Sequence, residues 1–322
     1  MSNRQRVYLD HAATTPVHPA VVEAMIPYFS QFYGNPSSFY QRGRESAAVL
    51  QDARGRIASL INADPREIFF TACGTEADNW AIKGAASRLA GKGRHIITSA
   101  IEHHAVLHAC EDLQKQGFEL TVLPVDGQGL VDPAAVKAAI RPDTILVTIM
   151  WANNEIGTIQ PIREIAAICR EQNVLFHSDA VQAAGALPID VRDLGADMLS
   201  FSAHKFYGPK GVGFLYIRRG VRIDNLLSGG AQEQNRRGGT ENVAGIVGMA
   251  KALELATGQL EANRLRLTGL RDYLIRQMLE TVPHVRLNGH PEQRLPNNAN
   301  FSFEFIEGES ILLLLDHYGF EC

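Results

Sequence analysis

The chain has 322 residues, a net charge of −4, 45% hydrophobic and 20% charged residues, an ordinary globular composition that excludes global disorder. The mild negative charge, with no long block of one sign, argues against a nucleic-acid binder, and no apolar run approaches the ~18 residues of a membrane span. The polar start, Met1 to Arg6, has no apolar core behind it to suggest secretion, and the scattered Cys73, Cys110, Cys169 and Cys322 form no CxxC pair, so a reducing cytoplasm is the expected setting.

Short apolar, β-branched runs predict strands at 68–71, 95–99, 120–123, 144–150, 174–177, 198–201 and 212–217. Helical patterns fill the gaps at 45–61, 76–89, 105–116, 133–140 and 161–172. Strand and helix alternating in this way predict an α/β fold, a mostly parallel sheet covered on both faces. One long helix is predicted over 248–279, then a strand at 300–305 and a helix at 309–315 that Gly319 stops. The second αβ region thus holds one strand and one helix before Phe320, Glu321 and Cys322 begin something new.

In an open parallel sheet, ligands bind outside the carboxyl ends of the strands. Five predicted strand ends lead into polar or charged groups: Gly74-Thr75-Glu76, Glu102-His103-His104, Asn153-Asn154-Glu155, Asp179 to Gln182, and Ser202-Ala203-His204-Lys205. Singly, each has an ordinary reading. Gly74-Thr75 can be a plain helix start, His103 a surface or satisfied core histidine, and Asn154 a turn cap. His104 and His108 stand four apart, but with no HExxH context and no third ligand a metal is not predicted. Asp179 and Lys205 are harder to explain away, because charges placed directly behind apolar strands need partners.

One ligand accounts for all five groups. Pyridoxal phosphate offers an aldehyde to Lys205, a pyridine nitrogen to Asp179, a phosphate to Gly74-Thr75, a phenolic oxygen to Asn154 or Gln182, and a flat ring to His103.

The motifs resemble the fold-type I, class V aminotransferase superfamily, and within it the cysteine desulfurases of the nitrogen-fixation type. The likeness runs nearly end to end, through Asp10-His11-Ala12-Ala13-Thr14-Thr15-Pro16, Gly34-Asn35-Pro36-Ser37-Ser38, Ala152-Asn153-Asn154-Glu155-Ile156-Gly157, Ser202-Ala203-His204-Lys205, Arg237-Gly238-Gly239-Thr240-Glu241-Asn242 and Leu295-Pro296-Asn297-Asn298-Ala299-Asn300. The resemblance implies a large cofactor domain over 15–255 and a small domain from 1–14 and 256–322. It implies that Lys205 carries pyridoxal 5'-phosphate as a Schiff base and moves protons, that Asp179 pairs with the pyridinium nitrogen and that His103 stacks on the ring. It further implies that Asn154 and Gln182 bond the phenolic oxygen, that Thr75, Ser202, His204 and the Gly74 backbone hold the phosphate, that Thr240 reaches the phosphate of the other subunit of a homodimer, and that Asn35 lies near the substrate carboxylate. The implied reaction converts L-cysteine to L-alanine through an enzyme persulfide, whose sulfur passes to an iron–sulfur scaffold protein.

In the family, the nucleophilic cysteine and a carboxylate-clamping arginine follow the segment matching Gly319 to Cys322, so this sequence reads as C-terminally truncated and Cys322 is not expected to be the nucleophile. Cofactor binding with little persulfide formation is the expectation. Other class V enzymes, selenocysteine lyase or an aminotransferase, and a non-catalytic cofactor-binding partner subunit are the alternatives.

Overall fold

The structure is a computed structural model and describes residues 6–322, so residues 1–5 of the polar start and of the expected small domain lie outside the described residues. The chain begins with β1 (Val7–Tyr8), two short helices α1 (Pro19–Met25) and α2 (Pro27–Ser30), and the long α3 (Gln41–Leu60). Strand and helix then alternate through β2 (Ile68–Thr71), α4 (Gly74–Leu89), β3 (His95–Ser99), α5 (His104–Lys115), β4 (Glu119–Leu123), α6 (Pro133–Ala139), β5 (Thr144–Thr148), α7 (Ile162–Glu171) and β6 (Leu175–Asp179). Next come α8 (Val191–Leu194), β7 (Met198–Ser202), β8 (Gly213–Ile217), the tight turn α9 (Gln232–Asn235) and α10 (Val243–Gly258). The chain ends in α11 (Leu260–Thr281), β9 (Val285–Asn288), β10 (Asn300–Phe303), α12 (Gly308–Tyr318) and β11 (Phe320–Glu321).

Seven strands form one sheet in the order β2-β8-β7-β6-β5-β3-β4. β3 to β7 are parallel, whereas β8 runs antiparallel to both β7 and β2. β2 therefore points the same way as β7, and the carboxyl ends of β2 to β7 share one edge. Every residue of β2, β3, β5, β7 and β8 is buried, as a sheet covered on both faces requires. Ala77, Trp80 and Ala81 of α4 with Val106 and Leu113 of α5 cover one face. Leu50 and Ile57 of α3, Ile165 of α7 and Ile246 of α10 cover the other. Each large apolar side chain so buried contributes about 1.5–3 kcal/mol. The α/β expectation holds, and the seven sheet strands lie within two residues of their predicted bounds.

The C-terminal third departs from expectation. The single helix predicted over 248–279 is two helices, broken at Gln259 (φ −107°, ψ 4°), which both caps α10 and starts α11. The predicted strand at 300–305 stops at Phe303, two residues before Phe305 turns left-handed (φ 64°). One strand and one helix is also too sparse a description. β9 pairs antiparallel with β10, and β11 pairs parallel with β1, Val7 opposite Phe320 and Tyr8 opposite Glu321. Gly319 does stop α12, in a left-handed conformation (φ 92°) that suits glycine.

Candidate active site

β7 ends at Ser202, and the chain turns through a single 3-10 turn, Ala203–Lys205, over the buried Phe206. That turn aims the Lys205 amine at the loop behind β1, where Nζ donates to the carbonyl oxygens of Ala12 and, at 2.8 Å, Ala13. Burial lowers the amine's pKa below its ordinary value, against the opposing pull of Asp179 and Asp10. Neighbouring bonds fix the turn, since Thr15 donates to the His204 carbonyl through its backbone N–H (2.9 Å) and its hydroxyl (2.8 Å).

Asp179, the last residue of β6, is 7% exposed. One carboxylate oxygen accepts the Val181 N–H at 2.9 Å. Burial raises its pKa, which that bond, His103 and Lys205 oppose. The strain-free way to keep such a carboxyl ionised is to give it a cation.

The α4 helix starts at the same edge. Gly74 has no room for a side chain: a Cβ there would come 2.8 Å from Val181 Cγ2 and 3.3 Å from Ser202 Cβ. The first-turn N–H groups lack intrahelical acceptors and face the edge with the positive end of the helix dipole. Thr75 is exposed and Ser202 buried beside them. His204 is half-buried, its Nδ1 3.1 Å from the Thr14 hydroxyl. Burial, aided by Lys205 and Lys210, depresses its pKa to about 4 and keeps the ring neutral. With Thr14 donating to Nδ1, Nε2–H is left as a donor.

His103 is exposed at the start of α5, and its Nδ1 accepts the Ala105 N–H at 3.1 Å. Asn154 lies half-buried in the turn after β5, and Gln182 donates to the Ala12 carbonyl at 3.0 Å. Thr240 is exposed in the segment after α9. Asn35 is exposed in a turn closed by its own side chain on the Ser37 N–H (2.9 Å). The structure thus brings Lys205, Asp179, His103, His204, Ser202, Gln182 and the Gly74-Thr75 helix start to one edge, while no hydrogen bond or ion pair among the described residues ties Asn35 or Thr240 to them.

A second layer lies beneath Asp179. Asp78 of α4, 1% exposed, places Oδ1 3.6 Å from His177 Nε2, and that oxygen has no hydrogen-bond partner. His177 is held by the Thr148 hydroxyl (2.8 Å) and the Ser200 hydroxyl (2.9 Å), and burial depresses its pKa to about 3, so it offers Asp78 no positive charge. Burial, then Asp179, drives the Asp78 pKa well up. Glu102 accepts the Ser99 hydroxyl (2.5 Å) and the Met150 N–H (2.9 Å), and burial lifts it to about 8. Three buried carboxyls share a region with few cations: burial raises all three, and at Asp179 alone His103 and Lys205 oppose the rise.

A ring nitrogen that becomes cationic on protonation fits the buried Asp179, a carbonyl carbon fits the amine of Lys205, whose pKa burial lowers, and an anion fits the α4 start beside His204. The donor set therefore suits pyridoxal phosphate. The class-V aminotransferase pattern matches residues 7–321, essentially the whole described chain. The chain belongs to the class-V aminotransferase family. This family works with pyridoxal phosphate. A cysteine desulfurase IscS of Methanosarcina thermophila is 58% identical over 318 residues, covering 99% of this chain and 78% of the relative. One of Dictyoglomus turgidum is 56% identical over 99% of this chain and 81% of its own. Among solved structures, a NifS-like protein superposes with a TM-score of 0.96 at 42% identity, covering 98% of this chain and 87% of that one. A structure described as SspA in complex with cysteine gives 0.86 at 36% identity, over 97% and 87%.

What holds this class-V site from behind lies outside the groups that follow each strand. The carbonyls of Ala12 and Ala13 that grip Lys205 come from the N-terminal loop, and carbonyls leave no side-chain signal. Asp78 did have one, a carboxylate on the helical face shared with Ala77, Trp80 and Ala81.

Proposed function

We propose that this class-V enzyme is a cysteine desulfurase that takes sulfur from L-cysteine and leaves L-alanine. The observation that carries the reading is the placement of Lys205, in the turn just after β7, and of the buried Asp179, at the end of β6, on one sheet edge near enough for their charges to act on each other, beside the open start of α4. The names of the relatives and the cysteine complex of one structural neighbour narrow the substrate.

Lys205 would hold the cofactor covalently, and His103 would stack on its ring. Asn154 and the second N–H of Gln182 would meet the phenolic oxygen. Thr75, Ser202, His204 and the Gly74 N–H would hold the phosphate, with Thr240 of a second subunit. Asn35 would lie toward the substrate carboxylate. When bound, pyridoxal phosphate supplies an electron sink for charge released at the substrate Cα. Once the substrate amine had displaced it, Lys205, its pKa lowered by burial, would take the Cα proton and return it. Asp179, where Lys205 and His103 work against the effect of burial, would face the ring nitrogen.

The sulfur must pass to a thiolate. Cys110 and Cys169 are buried with their thiols pushed up to about 12, and burial and Asp10 raise that of Cys322. We assign the acceptor to none of these three, and Cys73 is half-buried at the start of α4. This chain by itself is therefore expected to bind cofactor and release little alanine. An iron–sulfur scaffold protein would receive the sulfur in the cytoplasm. No helix among the described residues is long and apolar enough to cross a membrane.

A homodimer completes the proposal. Phe29, Phe32, Tyr33, Phe39 and Tyr40, with Phe39 94% exposed, form an aromatic surface beside Asn35 suited to a second copy. The pairing of β1 with β11 supports a small domain drawn from 1–14 and 256–322 against a large one of 15–255.

Borohydride reduction of the chain with pyridoxal phosphate, followed by peptide mass mapping, tests the reading. The label is expected on Lys205 and absent from Lys205→Ala. No label in a chain still folded by circular dichroism would refute the cofactor site. Conversion of the visible spectrum by a keto acid would instead point to an aminotransferase.

A further inference from the structure

The turn α9 is not helical inside. Glu233, Gln234 and Asn235 are all left-handed (φ 46°, 58° and 63°), and none is glycine. Asparagine tolerates that region, whereas glutamate and glutamine adopt it only when surroundings over-determine it.

The over-determining contact is the Glu233 carboxylate, whose side chain is 2% exposed. Oε1 accepts from Arg54 Nη2 at 2.8 Å, and Oε2 accepts from Arg54 Nη1 at 2.9 Å and from the Phe70 N–H at 2.8 Å. Arg54 rises from α3, lies 4.3 Å over the Phe70 ring and also donates to the Ile68 carbonyl. One carboxylate therefore ties the turn to α3 and to β2, the strand that leads into Gly74 and Thr75.

The residues after the turn then run back over the start of α4. Arg236 stacks 4.7 Å over Phe69, and Gly238 presses so closely on Gly229 that a Cβ would meet its Cα at 2.6 Å. Arg237 forms a two-point ion pair with Glu76, Nε to Oε1 at 2.8 Å and Nη2 to Oε2 at 3.0 Å. Glu76 adjoins Thr75 in the first turn of α4. Left alone, its negative charge would oppose an anion held there; Arg237 cancels it.

We infer that the buried Arg54–Glu233 pair is a positioning device for the anion seat at the start of α4, holding the left-handed turn so that Arg237 neutralises Glu76. Neither Arg54 nor Glu233 touches the cofactor. The inference rests on the cofactor reading above.

The test compares binding of pyridoxal phosphate and of pyridoxal, which lacks the phosphate, by visible absorbance, with hydrogen exchange over 231–240 followed by mass spectrometry. Glu233→Gln is expected to weaken pyridoxal phosphate binding at least about tenfold, the size of one lost charge-assisted contact. It should leave pyridoxal binding unchanged and speed exchange across the turn. Because Glu233→Gln leaves Arg54 buried without its counter-charge, the double variant Arg54→Met with Glu233→Leu removes both charges and should show the same selective loss in a folded chain. Arg237→Gln should lose phosphate selectivity with exchange in the turn unchanged. Equal loss of both ligands, or none in a folded double variant, overturns the positioning role. Failure of the unaltered chain to bind pyridoxal phosphate overturns the cofactor reading and the inference with it.

Discussion

Lys205 and Glu102 set two different pH dependences. Lysine must be neutral to bond a carbonyl, and burial lowers its pKa. Lys205→Arg keeps the charge and removes that option, so cofactor attachment should vanish and any turnover fall by about 10²–10⁴. Glu102, lifted by burial to about 8, titrates the other way. The folded chain holds its proton where the unfolded chain, with an ordinary carboxyl, has lost it. Its contribution to stability is therefore complete below the unfolded pKa and is lost as pH rises toward 8. His177 and His204, depressed to about 3 and about 4, stay neutral in the fold while the unfolded chain takes up protons below about 6.5. Their contribution is complete above that value and is lost as pH falls through it. The histidines and Glu102 oppose each other at acid pH, so between about pH 6.5 and 8 the Glu102 effect, worth up to about 2 kcal/mol, is no longer offset by them and has the same sign as that of the raised Asp78. Urea unfolding across that window should show stability falling with pH in the unaltered chain and a flatter profile in Glu102→Gln. At this scale Lys205, Asp179 and His103 were legible because a charge or ring directly after an apolar strand stands out. Asp78 and His177 were not, because a polar residue between two packed layers looks like an isolated irregularity until the layers are assembled.

The start of α4 shows how one element makes a site. Its free N–H groups require a close, unobstructed approach, and Gly74 supplies it under Val181. Gly74→Ala should press a methyl into Val181, cost about 1–3 kcal/mol of stability as an overpacked contact and weaken cofactor binding. Pairing it with Val181→Ala should recover part of both losses, read by thermal melting and absorbance titration. Sheet strands were readable in the sequence because full burial on both faces makes them continuous apolar runs bounded by polar turns. The break between α10 and α11 was not, since Gln259 is an ordinary helix former and the Ala, Leu, Glu and Arg pattern runs through it. β9 escaped for a similar reason: Val285–Asn288, three half-exposed residues and the exposed Arg286, carry too little pattern and owe their strand to pairing with β10.

Across the whole molecule, apolar surface is unevenly distributed. The sheet and its covering helices are densely buried, yet α11 and α12 contain no buried residue and expose Leu265, Leu270 and Leu274, and Leu312, Leu313 and Leu314. Such exposure binds apolar dyes and promotes self-association. Leu270→Glu with Leu313→Glu should lower anilinonaphthalenesulfonate fluorescence and the weight-average mass in sedimentation, with helix content retained. The aromatic surface around Phe39 should behave differently: Phe39→Asp is expected to split a discrete dimer into monomers.

The joining of β1 to β11 gives the molecule a history as well as a shape. Arg6 bonds Asp316 and Glu321 across sequence separations of 310 and 315 residues, and β1 leads directly into the loop whose carbonyls grip Lys205. On the ribosome β1 emerges early and lacks its partner until β11 appears. The sheet can assemble meanwhile from neighbouring βα units, but the grip on the lysine is secured late. Nascent chains stalled before β11 clears the exit tunnel should be folded in their central sheet yet slow to take up pyridoxal phosphate, so that synthesis itself times when the enzyme is armed.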